Sequence, residues 1–377
     1  MLGALRGVID PELGDNVVDL GMVRGTEVAP DGVVTIDIAL TIAGCPLRGQ
    51  LQADVQARVG SLPGVTDVKV RMAEMTGEEK SKVMARARWK VRENAPANSI
   101  PATTRLVAVA SGKGGVGKSS VTVNLATALA HRGHAVGVLD ADIWGFSVPR
   151  MLGMDGRIEV EGTAEKWEMH PVVKQVGAGS LHVLSMGFLA GEDQAILWRG
   201  LLLNRAVQHF VEDVAWGDLD YLFIDMPPGT GDVQMGLARM LPRAEMLIVT
   251  TPALAAQKVA ARAADMARKG YLRVVGVVEN MSAFTCEHGT SYALFGSEGG
   301  DRLAAALGVP LMGRIPLEPA VAAGGDAGEP AVLSGGAASD AFMALADRMV
   351  ELVPPVEMSG CTARMLDNIE KALGPSA

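Results

Sequence analysis

The 377-residue chain contains few aromatic residues and few cysteines, and these shortages exclude some protein classes. Aromatic residues make up 4% of the sequence, and the three cysteines are Cys45, Cys286 and Cys361. An odd and sparse set of thiols does not form the disulfide framework of a small secreted domain. Each cysteine is therefore a small buried hydrophobe, a metal ligand or a reactive thiol.

Long apolar runs and an excess of positive charge are also missing. The apolar runs are interrupted within about a dozen residues, which is shorter than a membrane span, and no secretory signal opens the sequence. The formal net charge is −9, which argues against a protein that coats nucleic acid or an anionic membrane. We therefore expect a cytoplasmic protein with no nucleic-acid partner and no membrane partner.

A glycine-rich stretch, 111–120, lies between a buried strand pattern at 106–110 and a helical pattern at 121–130. It matches the phosphate-loop pattern G-x-x-x-x-G-K-[ST] at four positions: Gly112, Gly117, Lys118 and Ser119. In such a loop, backbone N–H groups surround phosphate oxygens, the lysine neutralises charge and the hydroxyl ligates Mg²⁺. The stretch predicts a nucleotide site in which Lys118 is catalytic and Ser119 is a Mg²⁺ ligand.

A second lysine, Lys113, follows Gly112 directly. With it, the loop resembles the deviant Walker A loop of the MinD, nitrogenase iron protein and ParA group of ATPases. The resemblance implies that Lys113 reaches ATP on the opposing subunit of a homodimer, where a cation stabilises phosphoryl transfer. The alternative is a solvated lysine. The resemblance also implies an ATP-binding set: Gly112, Lys113, Gly114, Gly115, Val116, Gly117, Lys118, Ser119 and Ser120.

Polar residues follow three further apolar strand patterns. Asp140 and Asp142 follow 135–139, Asp225 follows 220–224, and Asn280 follows 273–278. Ligands of open α/β sheets bind at the carboxyl ends of the strands, so these side chains are candidates for the same site.

Two of these runs resemble the switch segments of Mrp/ApbC iron–sulfur carrier ATPases: Asp140-Ala-Asp-Ile143, and the Asp225-Met-Pro-Pro-Gly-Thr-Gly-Asp232 run. The resemblance implies that Asp142 orients or deprotonates the attacking water, that Asp140 supports it, and that Asp225 holds Mg²⁺. It also implies that Asn280 pairs with adenine. Solvated loop carboxylates and a helix-capping asparagine are the competing interpretations.

The alternation of strands and helices from Arg105 onward predicts an α/β fold, with a doubly wound, mostly parallel sheet of the P-loop NTPase type. A small α+β domain precedes it. We predict a small domain at 1–90, a linker at 91–104, the ATPase domain at 105–353 and a tail at 354–377.

The small domain resembles an iron–sulfur assembly domain through Ile9-Asp-Pro-Glu-Leu13 and Ala43-Gly-Cys-Pro46. Within the second of these runs, Cys45 precedes a predicted helix. That position favours a thiolate ligand, whereas simple packing is the alternative.

The segment 281–290 departs from the carrier pattern, which has a C-x-x-C pair that holds a cluster between two protomers. This chain has Cys286 and then His288, with no second cysteine. Three interpretations of the cluster ligands are open: one Cys286 and one His288 from each subunit, additional ligation by Cys361 or Cys45, or no stable cluster.

The resemblance as a whole implies a homodimeric ATPase with ATP, Mg²⁺ and an iron–sulfur cluster as its ligands, which transfers clusters to apoproteins. A positioning ATPase of the ParA/MinD kind is one alternative, and a nickel or zinc cofactor insertase is another. The net charge disfavours the first of these.

Overall fold

The computed structural model describes residues 1–10, 15–40, 48–93, 99–142, 145–163, 167–188, 208–229, 232–270 and 272–355. The chain forms two compact units, Met1–Asn94 and Ala95–Ala377. None of the described helices is both long and apolar enough to cross a membrane.

The first unit contains a three-stranded sheet in the order β1-β2-β3. Its strands are β1 (Val23–Val28), β2 (Val33–Leu40) and β3 (Asp67–Glu74), and its helices are Leu2–Leu5, Arg48–Gly60 and Gly77–Glu93. The central strand β2 pairs antiparallel with β1 and parallel with β3. Leu51, Val55 and Val59 are buried at four-residue intervals, so one stripe of the helix Arg48–Gly60 faces the core. Cys45 lies outside the described residues.

The second unit is organised around an eight-stranded sheet. Its strands are β4 (Arg105–Ala110), β5 (Ala135–Asp140), β8 (Val172–Val176), β9 (Gly179–Ser185), β10 (Tyr221–Asp225), β11 (Glu245–Thr250), β12 (Arg273–Glu279) and β15 (Leu311–Arg314). Their order in the sheet is β15-β12-β11-β4-β10-β5-β9-β8. Among the described strands of this sheet, only the edge strand β8 runs antiparallel to its neighbour. The inner strands are almost continuously buried, as expected of parallel strands covered on both faces.

Helices flank this sheet. They are Lys118–His131, Val148–Met151, Asp232–Met240, Leu254–Lys269, Gly299–Leu307, Pro319–Ala327 and Ala337–Leu352. Lys118–His131 packs on β5, β9 and β10, and Leu254–Lys269 packs on β11 and β12. Two short hairpins, β6 (Glu159–Gly162) with β7 (Trp167–His170) and β13 (Phe284–Thr285) with β14 (Ser291–Tyr292), complete the described strands.

The predicted fold class is confirmed, and the strands on which it was based all form. The glycine- and alanine-rich sequence at 324–338 predicts a loop, which is partly wrong, because its first residues belong to the helix Pro319–Ala327. Pro319 occupies the first turn of that helix, and Gly328 ends it at a left-handed φ of 75°. The sequence pattern also predicts helices at 197–214 and 363–373. The first range lies mostly outside the described residues, and the second lies wholly outside them.

Candidate functional site

The phosphate loop joins the carboxyl end of β4 to the helix that begins at Lys118. Gly115 and Gly117 adopt left-handed φ values of 81° and 80°, which glycine tolerates without strain. Gly112 is required for a different reason, because a Cβ there would overlap the backbone of Val259. The loop conformation therefore depends on glycine at two kinds of position, and both lie within the predicted motif.

Lys118, Ser119 and Asp225 meet at the end of this loop. The Lys118 ammonium lies 2.5 Å from Asp225 Oδ1, and the Ser119 hydroxyl donates to Asp225 Oδ2 over 2.5 Å. Asp225 is fully buried and Lys118 is 6% exposed, so the charge pair lies in a region of low dielectric. The serine and carboxylate oxygens are the hard ligands that Mg²⁺ prefers, so the donor set fits that ion.

Thr122 is a member of this group that the sequence analysis missed. Its hydroxyl lies 2.9 Å from Asp225 Oδ1, and its side chain is fully buried. The only signal for it in the sequence is its spacing, because a residue four positions after Lys118 lies on the same helix face.

Asp140 is the centre of a buried hydrogen-bond network at the end of β5. Its carboxylate accepts the backbone N–H groups of Asp142, Ser147 and Val148 and the hydroxyl of Ser185, over 3.1–3.3 Å. Burial raises the pKa of Asp140 to about 7, and the neighbouring Asp225 carboxylate adds to this effect while Lys118 opposes it. Asp140 therefore orders the backbone that follows β5.

Asp142 and Lys113 are held less firmly. The Asp142 carboxylate accepts the Gly145 N–H over 3.3 Å, and partial burial raises its pKa against the opposing effect of Lys118. Lys113 is exposed on the loop, and its ammonium forms no ion pair with any described residue. The fold brings Lys118, Ser119, Asp225 and Asp142 to one edge of the sheet but leaves Lys113 facing outward.

The turn after β10 continues from the sheet towards the phosphate loop. The Met226 N–H extends the strand pairing to Val109, and the Gly229 N–H points to the Ser111 carbonyl at 3.4 Å. Gly229 has a left-handed φ of 98°. Thr230 and Gly231 of the predicted switch lie outside the described residues.

Asn280 contacts the phosphate loop. Its amide Nδ2 donates to the Val116 carbonyl over 2.9 Å, and a Cβ on Gly117 would overlap the same Nδ2. Asn280 is 5% exposed, so this hydrogen bond is buried. That bond uses one of the two Nδ2 hydrogens, so the second hydrogen and Oδ1 are left for a ligand, which the sequence pattern did not indicate.

A cavity of about 240 Å³ opens beside Asn280. Gly117, Ser120, Met281, Pro316 and Glu318 line it with Asn280. The Ser120 hydroxyl is buried and has no hydrogen-bond partner among the described residues, which fits a polar group of a bound ligand. Met281 was missed by the sequence analysis, and it adopts an uncommon left-handed φ of 56°.

Cys286 follows β13 at the tip of the β13–β14 hairpin. The backbone N–H of His288 donates to its sulfur and, with weaker help from Thr290, lowers the pKa of the thiol. The His288 side chain is 83% exposed and lies near Glu287. Within the described part of the chain, no three potential metal-ligating side chains come together, so Cys286 and His288 form an incomplete site. Cys361 lies outside the described residues.

Comparisons with known proteins match both units. Residues 102–350 match the family described as NUBPL iron-transfer P-loop NTPase, and residues 1–71 match an iron–sulfur cluster assembly protein family. An iron–sulfur cluster carrier protein of Mycobacterium tuberculosis is 47% identical over 338 residues, covering 88% of this chain and 87% of that protein.

Two solved structures share the fold of the larger unit. A nucleotide-binding protein of Archaeoglobus fulgidus in complex with ADP is 35% identical with a TM-score of 0.52, covering 63% of this chain and 91% of its own. The cell division ATPase MinD of Pyrococcus furiosus is 24% identical with a TM-score of 0.50, covering 66% of this chain and 99% of its own. The resemblance carried by the sequence motifs is confirmed.

Proposed function

Since this chain belongs to the family of NUBPL iron-transfer P-loop NTPases, we propose that it binds and hydrolyses ATP and carries iron–sulfur clusters to apoproteins. The observation that supports the ATPase part is the buried contact of Lys118 and Ser119 with Asp225 at the end of the phosphate loop. Residues 112–120 supply the backbone and side-chain donors for the phosphates. Ser119 and Asp225 would hold Mg²⁺, which supplies positive charge to the phosphate oxygens when bound.

Asn280 gives this site its preference for adenine. One Nδ2 hydrogen is used by the Val116 carbonyl, so Asn280 offers the base the acceptor Oδ1 and the second Nδ2 hydrogen. An acceptor pairs with the N6 amino group of adenine and repels the O6 carbonyl of guanine. We therefore expect ATP to bind better than GTP.

Hydrolysis uses Asp142 and the two loop lysines. Asp142 orients or deprotonates the attacking water, and Lys118 stabilises the charge that develops on the transferred phosphoryl group. The outward-facing Lys113 is free to reach a nucleotide on a second copy of the chain, so the active form is a homodimer. ATP hydrolysis is thereby linked to the arrangement of the two copies.

The cluster is the cargo, and Cys286 is its principal ligand. The lowered pKa of Cys286 favours the thiolate, which is the form that binds metal. One chain offers Cys286 and His288 at the hairpin, so two chains would supply the four ligands that a cluster commonly takes. Cys361 and Cys45 are the other possible ligands. Thiolate ligands persist in a reducing compartment, so we place the protein in the cytoplasm.

The function is tested by anaerobic reconstitution with iron and sulfide, followed by mixing with an inactive apo form of an iron–sulfur enzyme. We expect the recipient to gain activity, and the gain to depend on ATP with Mg²⁺. If the protein hydrolysed ATP but the recipient enzyme gained no activity, the protein would be an ATPase and the carrier function would be contradicted. If the protein neither hydrolysed ATP nor bound a cluster, that result would contradict the proposal as a whole.

A further inference from the structure

A buried glutamine, Gln234, contacts the turn that follows β10. It lies in the first turn of the helix Asp232–Met240 and is 1% exposed. Its side-chain Nε2 donates to the Pro227 carbonyl over 2.6 Å. No sequence motif singled out Gln234, and it has no place in the nucleotide site described above.

The turn has few other polar contacts among the described residues. Pro227 and Pro228 have no N–H to donate, so the strand pairing of β10 ends at Met226. The Gly229 N–H reaches the Ser111 carbonyl only at 3.4 Å, which is long for a hydrogen bond. The Gln234 amide therefore makes the shortest hydrogen bond to this turn.

The same turn lies against the phosphate loop. A Cβ built on Gly114 would lie 3.9 Å from the Cβ of Pro228, and Gly229 faces Ser111. A change at the Pro227 carbonyl would consequently move the Gly229 N–H relative to the loop. In nucleotide switches, segments at this position are ordered by the terminal phosphate of the nucleotide.

The other end of the Gln234 amide argues against a purely structural role. Its Oε1 is buried and has no hydrogen-bond partner among the described residues. An unpaired buried acceptor lowers stability, whereas an apolar side chain of similar volume would not. The chain thus has a polar side chain here at a cost in stability, and the one hydrogen bond that it gains is the bond to Pro227.

We propose that Gln234 is a positioning residue for ATP hydrolysis. Its amide fixes the Pro227 carbonyl and thereby places the Gly229 N–H at the phosphate loop, where the terminal phosphate of ATP is bound. Gln234 acts through the turn and does not contact the nucleotide. This inference rests on the proposed ATPase function.

The test compares Gln234→Met with Gln257→Met. Gln257 is a matched control, because it is 7% exposed and donates in the same way to the Pro252 carbonyl, over 2.7 Å. For Gln234→Met we expect kcat to fall about tenfold, while the Kd for a non-hydrolysable ATP analogue stays within about twofold. Its Tm should not fall, because the unpaired Oε1 is removed. Gln257→Met should keep kcat within about twofold.

A second variant, Gln234→Glu, keeps the length of the side chain but replaces the donor with an acceptor. Its kcat should be at least as low as that of Gln234→Met. Full kcat in folded Gln234→Met would overturn this inference alone. Loss of folding in both variants would identify Gln234 as a structural residue and overturn it too. A wild-type protein that does not hydrolyse ATP would instead overturn the proposed function, and this inference with it.

Discussion

The phosphate loop and the Cys286 hairpin lie on the same compact unit, but their environments differ sharply. Asp225 is fully buried and contacts Lys118, Ser119 and Thr122, which all come from one helix. On the hairpin, the His288 side chain is 83% exposed, and the groups that lower the pKa of the Cys286 thiol are the backbone N–H of His288 and Thr290. One chain therefore assembles the nucleotide site from its own core, whereas its described residues supply only part of a cluster site.

The largest effect that separates the two regions is expected from Lys118→Ala. ATP hydrolysis should fall by about 10²-fold or more, because the transferred phosphoryl group loses a fixed cation. Cluster content after anaerobic reconstitution should be unchanged. Phosphate release and iron content, measured on the same preparation, check both statements.

The control is Lys258→Ala, which removes an exposed lysine from the helix Leu254–Lys269. This variant should hydrolyse ATP at the wild-type rate. Wild-type turnover in Lys118→Ala would contradict the ATPase assignment.

Cys286→Ala should have the opposite effect, because it should lower cluster content and leave nucleotide binding unchanged. Iron and sulfide bound after anaerobic reconstitution should fall about tenfold, because the thiolate with the lowered pKa is removed. Nucleotide binding by the single chain should be unchanged. Metal and sulfide analysis beside a nucleotide-binding assay measures both.

Cys45→Ala and Cys361→Ala are the matched controls for the cluster. If Cys286 and His288 supply the ligands, both controls should retain wild-type iron. If wild type and Cys286→Ala bound equal amounts of iron, Cys286 would not be a ligand. If only Cys361→Ala lost iron, the ligand would be Cys361 in the tail.

Lys113→Ala tests whether the nucleotide site, too, needs a second copy. We expect kcat to fall about tenfold while the Kd for ATP stays within about twofold, because Lys113 acts in the transition state from the partner. In the wild type, hydrolysis per chain should rise with protein concentration. Equal loss of binding and turnover, with no dependence on concentration, would make Lys113 a plain binding residue and weaken the dimer proposal.

The contrast between the two regions also limits what the sequence could predict. The phosphate loop and five strands of the central sheet, β4, β5, β10, β11 and β12, follow from local patterns: glycine spacing, apolar runs and helix periodicity. The hairpin has strands of only two residues, β13 and β14, which leave no periodic signal. Strands β8, β9 and β15 of the central sheet were not predicted either, although the residues of β8 alternate in burial.

Contacts between residues far apart in the sequence could not be predicted, for a different reason. Asn280 donates to Val116 across a separation of 164 residues, and Ser119 donates to Asp225 across 106. The motifs placed these residues at one edge of the sheet but could not show which atoms are already paired. Because of that pairing, Asn280 keeps Oδ1 and one Nδ2 hydrogen for the base.

The smallest expected effect concerns pH, and it applies only to the buried region. The pKa of Asp140 is raised to about 7 in the folded protein, above an ordinary value of 3.8, so the folded state binds the extra proton. The resulting stabilisation is complete below about pH 4 and is lost as the pH rises through about 7. The charged groups that act on Asp140 are Asp225, which raises its pKa, and Lys118, which lowers it; the hydrogen bonds from Val148 and Ser185 also lower it.

Asp140→Asn removes this titration but keeps an acceptor for the N–H groups of Ser147 and Val148. Between pH 5 and pH 8, the Tm of the wild type should fall by a few degrees more than the Tm of Asp140→Asn, as expected for about 1–2 kcal/mol in a domain of this size. Parallel Tm curves would place the titration elsewhere. The exposed hairpin contains no buried carboxylate of this kind among the described residues. The lowered pKa of Cys286 has the opposite sign, so the Tm of the wild type relative to Cys286→Ala should not fall as the pH rises.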